Sequence, residues 1–296
     1  MKKDFWKYIT AVLIFGTTGI IASKIELPSQ EIVFFRSGIA GLILVILFLL
    51  LRKECNALRF KREFIFLAIA GAATGANWLL LYEAFQQVGV GTGTLLCYCG
   101  TVIVMALGPI LFQEKLTREK CIGFLAVLTG LICINGQALQ EGKTFWGMLC
   151  GILSAVMFAV LVIANKKAPH ITGVENPMWQ ITIAFLVVGA FLLFRGGLPV
   201  QVPAGSWPYV LLLGGLSGIG CYFYLSSMGR LPVQTVAICG YLEPFAAVVL
   251  SAILLQESMA PMQAAGAALI LGGAMYAELA GKRVRKKEKI EDCVRI

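Results

Sequence analysis

The sequence predicts an all-α integral membrane protein of ten transmembrane helices, arranged as two inverted five-helix repeats with both termini in the cytoplasm. Three observations predict it. Apolar residues make up 58% of the chain and charged residues 14%, against roughly 45–50% and about 25% in soluble domains. Mostly apolar runs of about 20 residues recur along the chain, each long enough to cross ~30 Å of hydrocarbon as a helix. The sequence also returns to itself, without a gap, at an offset of 143 residues.

The spans follow in order. The first, 7–26, comes after Met1-Lys2-Lys3 and resembles a signal peptide. It has a counterpart at 152–167, however, and losing it would break the charge alternation described below, so it is read as a retained helix. The second, 30–51, carries Arg36 and ends at Arg52. The third, 64–86, contains Gly71-x-x-x-Gly75, a spacing that puts small residues on one helix face and lets backbones approach closely. The fourth, 90–113, closes on Gln113-Glu114, and the fifth, 119–138, contains Gly123 and Gly130. The sixth (145–164) has Gly147 and Gly151, and the seventh (177–195) ends at Arg195. The eighth (207–228) repeats the small-residue spacing as Gly214 and Gly218. The ninth (233–256) contains Pro244, where a kink is expected, and the tenth (262–281) has Ala264 and Ala268. The first repeat is thus 1–138, the second 145–281, and a basic tail follows at 282–296. Alternating strand-length segments of a membrane barrel are absent.

Landmarks coincide at the offset. Phe15 meets Phe158 and Lys24 meets Lys167, and Phe48-Leu49-Leu50-x-Arg52 meets Phe191-Leu192-Leu193-x-Arg195. Gly71 and Gly75 meet Gly214 and Gly218, and Ile110-Leu111-x-Gln113-Glu114 meets Ile253-Leu254-x-Gln256-Glu257. Five spans per copy is an odd number, so the second copy faces the opposite way. Inverted repeats are how many secondary transporters build a midplane site and alternate access to it.

Loop charge orients the chain. Lys and Arg number 21 on the side that holds both termini and 3 on the other, with Arg36 inside a span; the richer side is cytoplasmic by the positive-inside rule. The net charge of +9 is therefore an orientation signal and not a nucleic-acid footprint. The cluster Lys282 to Lys289 also suits anionic lipid headgroups. Nine scattered cysteines without a Cys-x-x-Cys pair, and a single histidine, His170, in a loop, lack metal-ligand spacing. Neither a metal nor another cofactor is expected.

Charges at bilayer depth are costly and mark function by default. Glu243, near the middle of the ninth span, must face a polar cavity, pair with a cation or carry a proton. Its counterpart in the first copy is Gly100, so symmetry does not require it. Arg36 and Glu83 could reach the interface or each other, as a structural ion pair or a substrate clamp. Asn77, Trp78 and Tyr82 lie in the third span, where Trp78 and Tyr82 share a face; Tyr98 and Tyr241 are equivalent in the two copies, and Tyr222 and Tyr224 lie in the eighth. Aromatic side chains with polar tips suit organic-ligand sites.

These features resemble the drug/metabolite transporter superfamily, in its EamA group, over essentially the whole chain. The shared features are the two five-helix repeats, the Glu closing the fourth and ninth spans, and the Gly that follows nine residues later in each copy (Gly123 and Gly266). Arg36 early in the second span and the run Leu242-Glu243-Pro244 belong to the same pattern. One departure is Thr101, where the group often carries the Pro that the second copy keeps as Pro244. The resemblance implies a basket-like bundle with a cavity lined by the first, third, fourth, sixth, eighth and ninth helices, and alternating access that most often exports amino acids, related metabolites or drugs. Asn77, Trp78, Tyr82, Tyr98, Tyr222, Tyr241 and Glu243 fall on cavity helices near the midplane and are the candidate substrate-binding residues.

The function expected is secondary export of small organic metabolites across a prokaryotic plasma membrane. Sugar or nucleotide-sugar transport and uptake are the alternatives within transport. A channel or sensor has no signature here, and no nucleophile, metal cluster or acid/base pair supports an enzyme.

Overall fold

A computed structural model describes residues 2–52, 55–112, 145–197, 201–228 and 242–256, together with Gly240 and parts of 118–133 and 261–276. The described residues contain helices and no strand. The helices are α1 (Lys2–Ala22), α2 (Ser29–Leu50), the single turn α3 (Asn56–Arg59), α4 (Lys61–Val88), α5 (Val90–Phe112), α6 (Phe145–Lys166), α7 (Glu175–Arg195), α8 (Trp207–Met228) and α9 (Leu242–Leu254). By length and composition, α1, α2, α4, α6 and α7 can each cross a membrane.

Most boundaries fall within three residues of the expected spans; α1 is a correction. It stops at Ala22, not 26, because Leu27 precedes Pro28 and a residue before proline is pushed out of the helical region. Residues 23–27 form a tight link held by Lys24 N–H to Ile21 O (3.1 Å) and Ile25 N–H to Ala22 O (3.0 Å). The turn between α4 and α5 is sharper still. Gly89 has φ 87°, a conformation side chains disfavour, and its N–H closes α4 on Phe85 O (3.1 Å). Residues 231–239 and Tyr241 lie outside the described residues, and so does the junction where a kink at Pro244 was expected.

Eight helices close into a ring. Going round, α1 packs on α8, α8 on α2, α2 on α7, α7 on α4, α4 on α6, α6 on α5, α5 on α9, and α9 on α1. Exchanging the two copies by the 143-residue offset maps this ring onto itself. Every contact round the ring joins a helix of the first copy to one of the second. Neither copy therefore closes its own core.

The paired glycines make these crossings. A Cβ on Gly71 would sit 2.9 Å from Gln180 O, and one on Gly75 3.0 Å from Ala184 O, so both lie against α7. Gly214 lies as closely on Ile39 (2.5 Å), and Gly218 meets the Ala40 backbone (3.3 Å), both on α2. Outside the ring, a Cβ on Gly130 would sit 2.5 Å from Gly266 O, so the backbones about these two glycines approach closely. Large apolar side chains such as Leu42, Leu49, Ile65, Leu186, Phe194 and Leu211 are exposed, as a lipid-facing surface requires.

Two apolar seals join the copies, one at each end of the ring. At one end Ile25, Leu27, Ile32, Val210 and Leu213 form an apolar cluster, and Glu26 N–H donates to Ser206 Oγ (3.1 Å). At the other, Ala57, Leu67, Ala168 and Ile171 cluster, and the His170 N–H donates to Glu63 Oε2 (2.9 Å). Ser206 and Glu63 are equivalent positions in the two copies. Each opens a helix and accepts a backbone N–H from a loop of the other copy.

Candidate functional site

Between the seals, polar side chains of both copies turn inward in two groups. The first surrounds Arg36 of α2, which is 4% exposed. Its Nε donates to Ser217 Oγ of α8 (2.8 Å) and its Nη1 to the Tyr82 hydroxyl of α4 (2.6 Å). The guanidinium carbon lies 4.0 Å from the Trp78 ring centroid and 5.1 Å from that of Tyr82, within reach of a cation–π interaction. Tyr82 is further hydrogen-bonded to Thr18 of α1. Ser217 donates its own proton to Leu213 O (2.7 Å), which leaves its lone pairs for Arg36.

The second group surrounds Glu243 of α9. The Tyr98 hydroxyl of α5 donates to its carboxylate. Tyr224 of α8 stacks on Tyr8 of α1 with centroids 5.2 Å apart and planes at 28°, and the two hydroxyls are hydrogen-bonded. Tyr98 stacks on Phe158 of α6 (6.2 Å). Four helices thus bring three phenols around one carboxylate.

One stripe of α8 joins the groups. Ser217, Cys221 and Tyr224 are spaced i, i+4 and i+7 and share a face. Cys221 is within electrostatic reach of both Arg36 and Glu243, and those two act on each other without a direct ion pair. At 1.5 Å per residue, Ser217 and Tyr224 stand ~10 Å apart along α8.

Of the residues singled out in the sequence, Trp78, Tyr82, Tyr98 and Glu243 are brought to this interior. Asn77 turns to α6, where Nδ2 donates to Ser154 O (2.7 Å) and lies 3.5 Å from Cys97 Sγ. Its amide braces α4, α5 and α6 together. Asn77→Ala is expected to lower the thermal-unfolding midpoint through a loss of about 1–2 kcal/mol for the buried hydrogen bond, with ligand affinity unchanged in a binding titration. Tyr222 lies toward one end of the ring, with Lys7 Nζ 6.0 Å from its ring centroid. Tyr241 is outside the described residues. Arg36 and Glu83 do not meet: Glu83 accepts from Ser29 Oγ and from Gln87 Nε2 (3.2 Å).

Tyr8, Tyr224 and Ser217 were not among the sequence candidates. The stripe Ser217–Cys221–Tyr224 was readable as spacing. Tyr8 resembles an interfacial anchor by its closeness to Lys7, and only the fold carries it to Tyr224.

Comparison with known proteins agrees with the two-repeat organisation of the chain. The model of the EamA-like transporter family matches residues 5–136 and again 145–277. An uncharacterized transporter, YxxF, of Bacillus subtilis (strain 168) is 24% identical over 83% of this chain and 80% of its own. A probable amino-acid metabolite efflux pump of Salmonella typhimurium is 26% identical over 68% of this chain and 71% of its own. The pseudopaline exporter CntI of Pseudomonas aeruginosa is 25% identical over 73% and 74%. A crystal structure at 18% identity superposes with a TM-score of 0.68 over 95% of this chain and 99% of that one, which shows the fold.

Proposed function

Because the chain belongs to the EamA-like transporter family, a family of multi-pass membrane proteins that move small molecules, we propose that it is a secondary exporter of small organic metabolites working by alternating access. The observation that carries this reading is the polar interior shared by the two copies. Arg36 at one level and Glu243 with its tyrosines at the other lie inside a ring in which each helix is flanked by helices of the other copy. The cargo would rest between these groups, against Trp78, Tyr82 and Tyr98. Relatives named as an amino-acid metabolite efflux pump and a pseudopaline exporter support export of amino-acid-like solutes across the plasma membrane.

In this reading the ten spans form two inverted repeats, 1–138 and 145–281, with both termini and the tail in the cytoplasm. The end bearing Arg52, Arg59, Lys61, Arg62, Lys166 and Lys167 is the cytoplasmic one. Each seal joins the two copies, so rocking one copy against the other would loosen one seal while keeping its counterpart shut. The glycine-lined crossings supply smooth faces for that motion.

Counterflow in liposomes tests the proposal. Purified protein should accelerate exchange of labelled amino acids with saturation and with stimulation by unlabelled solute on the far side. Flux rising linearly with concentration would mean a channel. The cytoplasmic seal offers a second check. His170 Nδ1 lies 2.6 Å from Glu63 Oε1, and His170 stacks on Phe60 at 4.7 Å. With Cys221 as the one remaining cysteine, Glu63→Ala is expected to speed its labelling by an impermeant maleimide severalfold in inside-out vesicles. The rate in right-side-out vesicles should not rise.

A further inference from the structure

We propose that Arg36 is a carboxylate-binding subsite, so that the cargo is zwitterionic, with its carboxylate on Arg36 and its ammonium turned toward Glu243 and the tyrosines. This deepens the transport reading above and rests on it. The argument starts from an imbalance. Arg36 is buried, and a buried cation is costly unless paired. Its contacts are the neutral Ser217 and Tyr82 and the faces of Trp78 and Tyr82. Glu83, which the sequence offered as its ion-pair partner, is engaged by Ser29 and Gln87.

Two hydrogen bonds therefore orient the guanidinium without neutralising it, and Nη2 has no partner among the described residues. Trp78 and Tyr82 hold the plane of the fork. A fork fixed in that way, with a free edge, matches the two oxygens of a carboxylate. A structural arginine gains little from aromatic and hydroxyl partners that leave it without a direct ion pair, whereas an anion receptor needs that charge held ready.

The choice of anion follows from the charge on the other side. A phosphate shares the fork chemistry, but among the described residues the two polar groups offer one guanidinium, Arg36, and one carboxyl, Glu243, which act on each other without a direct ion pair. Together they sum to no net charge. That balance suits a solute with one negative and one positive end and disfavours a multiply charged phosphate, which would meet Glu243 as a like charge.

Ligand-induced thermal shift on the full-length purified protein tests this, since a ligand held by the folded state raises its unfolding midpoint by mass action. The probes are amino acids of each side-chain class, each with its carboxamide and its decarboxylated amine, together with 4-aminobutyrate, 6-aminohexanoate and O-phosphoethanolamine. Wild type should bind at least one amino acid tenfold or more tightly than its amide and amine. Arg36→Gln, which keeps donors toward Ser217 and Tyr82, should erase that preference by weakening the acid to the level of the amide while the amide is unaffected. Should the variant fail to fold, the wild-type series decides alone. Amides or amines binding as well as the acids overturn the proposal and leave transport standing, as does tightest binding of O-phosphoethanolamine or a preference that survives in Arg36→Gln. A wild type that binds none of the probes overturns the small-solute reading itself.

Discussion

Glu243→Gln is expected to lower transport to a few per cent of wild type or less while leaving the unfolding midpoint unchanged or higher. Truncating one partner of a buried, hydrogen-bonded charge pair costs about 2–5 kcal/mol, so loss of an ammonium–carboxylate contact with the cargo would weaken handling by roughly 30-fold or more. Gln is nearly the same size and its carbonyl can still accept from Tyr98, so the packing of α9 on α1 and α5 has no reason to change. Removing a charge from the interior also lifts a desolvation cost. This split separates the roles, because a carboxylate kept for helix packing would lose stability and transport together. Counterflow and thermal unfolding on the same preparation measure it, and transport within twofold of wild type would exclude Glu243 from the site.

Gly100→Ala should do the opposite, destabilising the protein with a loss of transport that follows from the loss of fold. The added Cβ would sit 2.4 Å from Ala155 O and 3.0 Å from Phe158 Cδ1. The first neighbour is backbone and cannot turn aside, so α5 must move off α6. Overpacking of this kind costs about 1–3 kcal/mol, and Gly100→Leu should cost more. Gly215→Ala is the control, since nothing lies within 4 Å of its added Cβ; it should be neutral or slightly stabilising. Thermal unfolding of the three variants checks this, and a neutral Gly100→Ala would show that the α5–α6 crossing is looser than described.

The two predictions are linked, because Gly100 and Glu243 are equivalent positions in the two copies. At the α5–α6 crossing the small residue stands on α5. At the equivalent α9–α1 crossing it stands on the other helix, as Gly16, whose added Cβ would lie 2.9 Å from Ala246 Cβ and 3.2 Å from Glu243 O. Moving the glycine to α1 frees position 243 for a side chain without losing the close approach. A polar site could thus appear in one copy only while the ring stayed closed.

Much of this was legible in the sequence. Hydropathy and the length needed to cross a bilayer mark most helix ends, because a continuous apolar run has few other uses. The 143-residue offset follows from landmarks such as Gly71/Gly75 against Gly214/Gly218, and Glu243 stands out because a carboxylate within an apolar run is rare. What the sequence could not supply is facing. A helix that is apolar all round has no polar side to orient it, so Asn77 and Trp78, adjacent in α4, could not be told apart as brace and site. Whether Arg36 would meet Glu83 or Tyr82 was equally open, since both lie within reach of its flexible side chain.

The sequence by itself determined the class, the repeat and the chemical types available in the membrane, because those depend on composition and order along the chain. Only the tertiary structure decided which side chains meet. Neither copy closes its own core, so Tyr8 finds Tyr224 and Arg36 finds Ser217 across the boundary between copies, more than 180 positions away. Such contacts arise from packing one copy against the other, which no local pattern in either copy encodes.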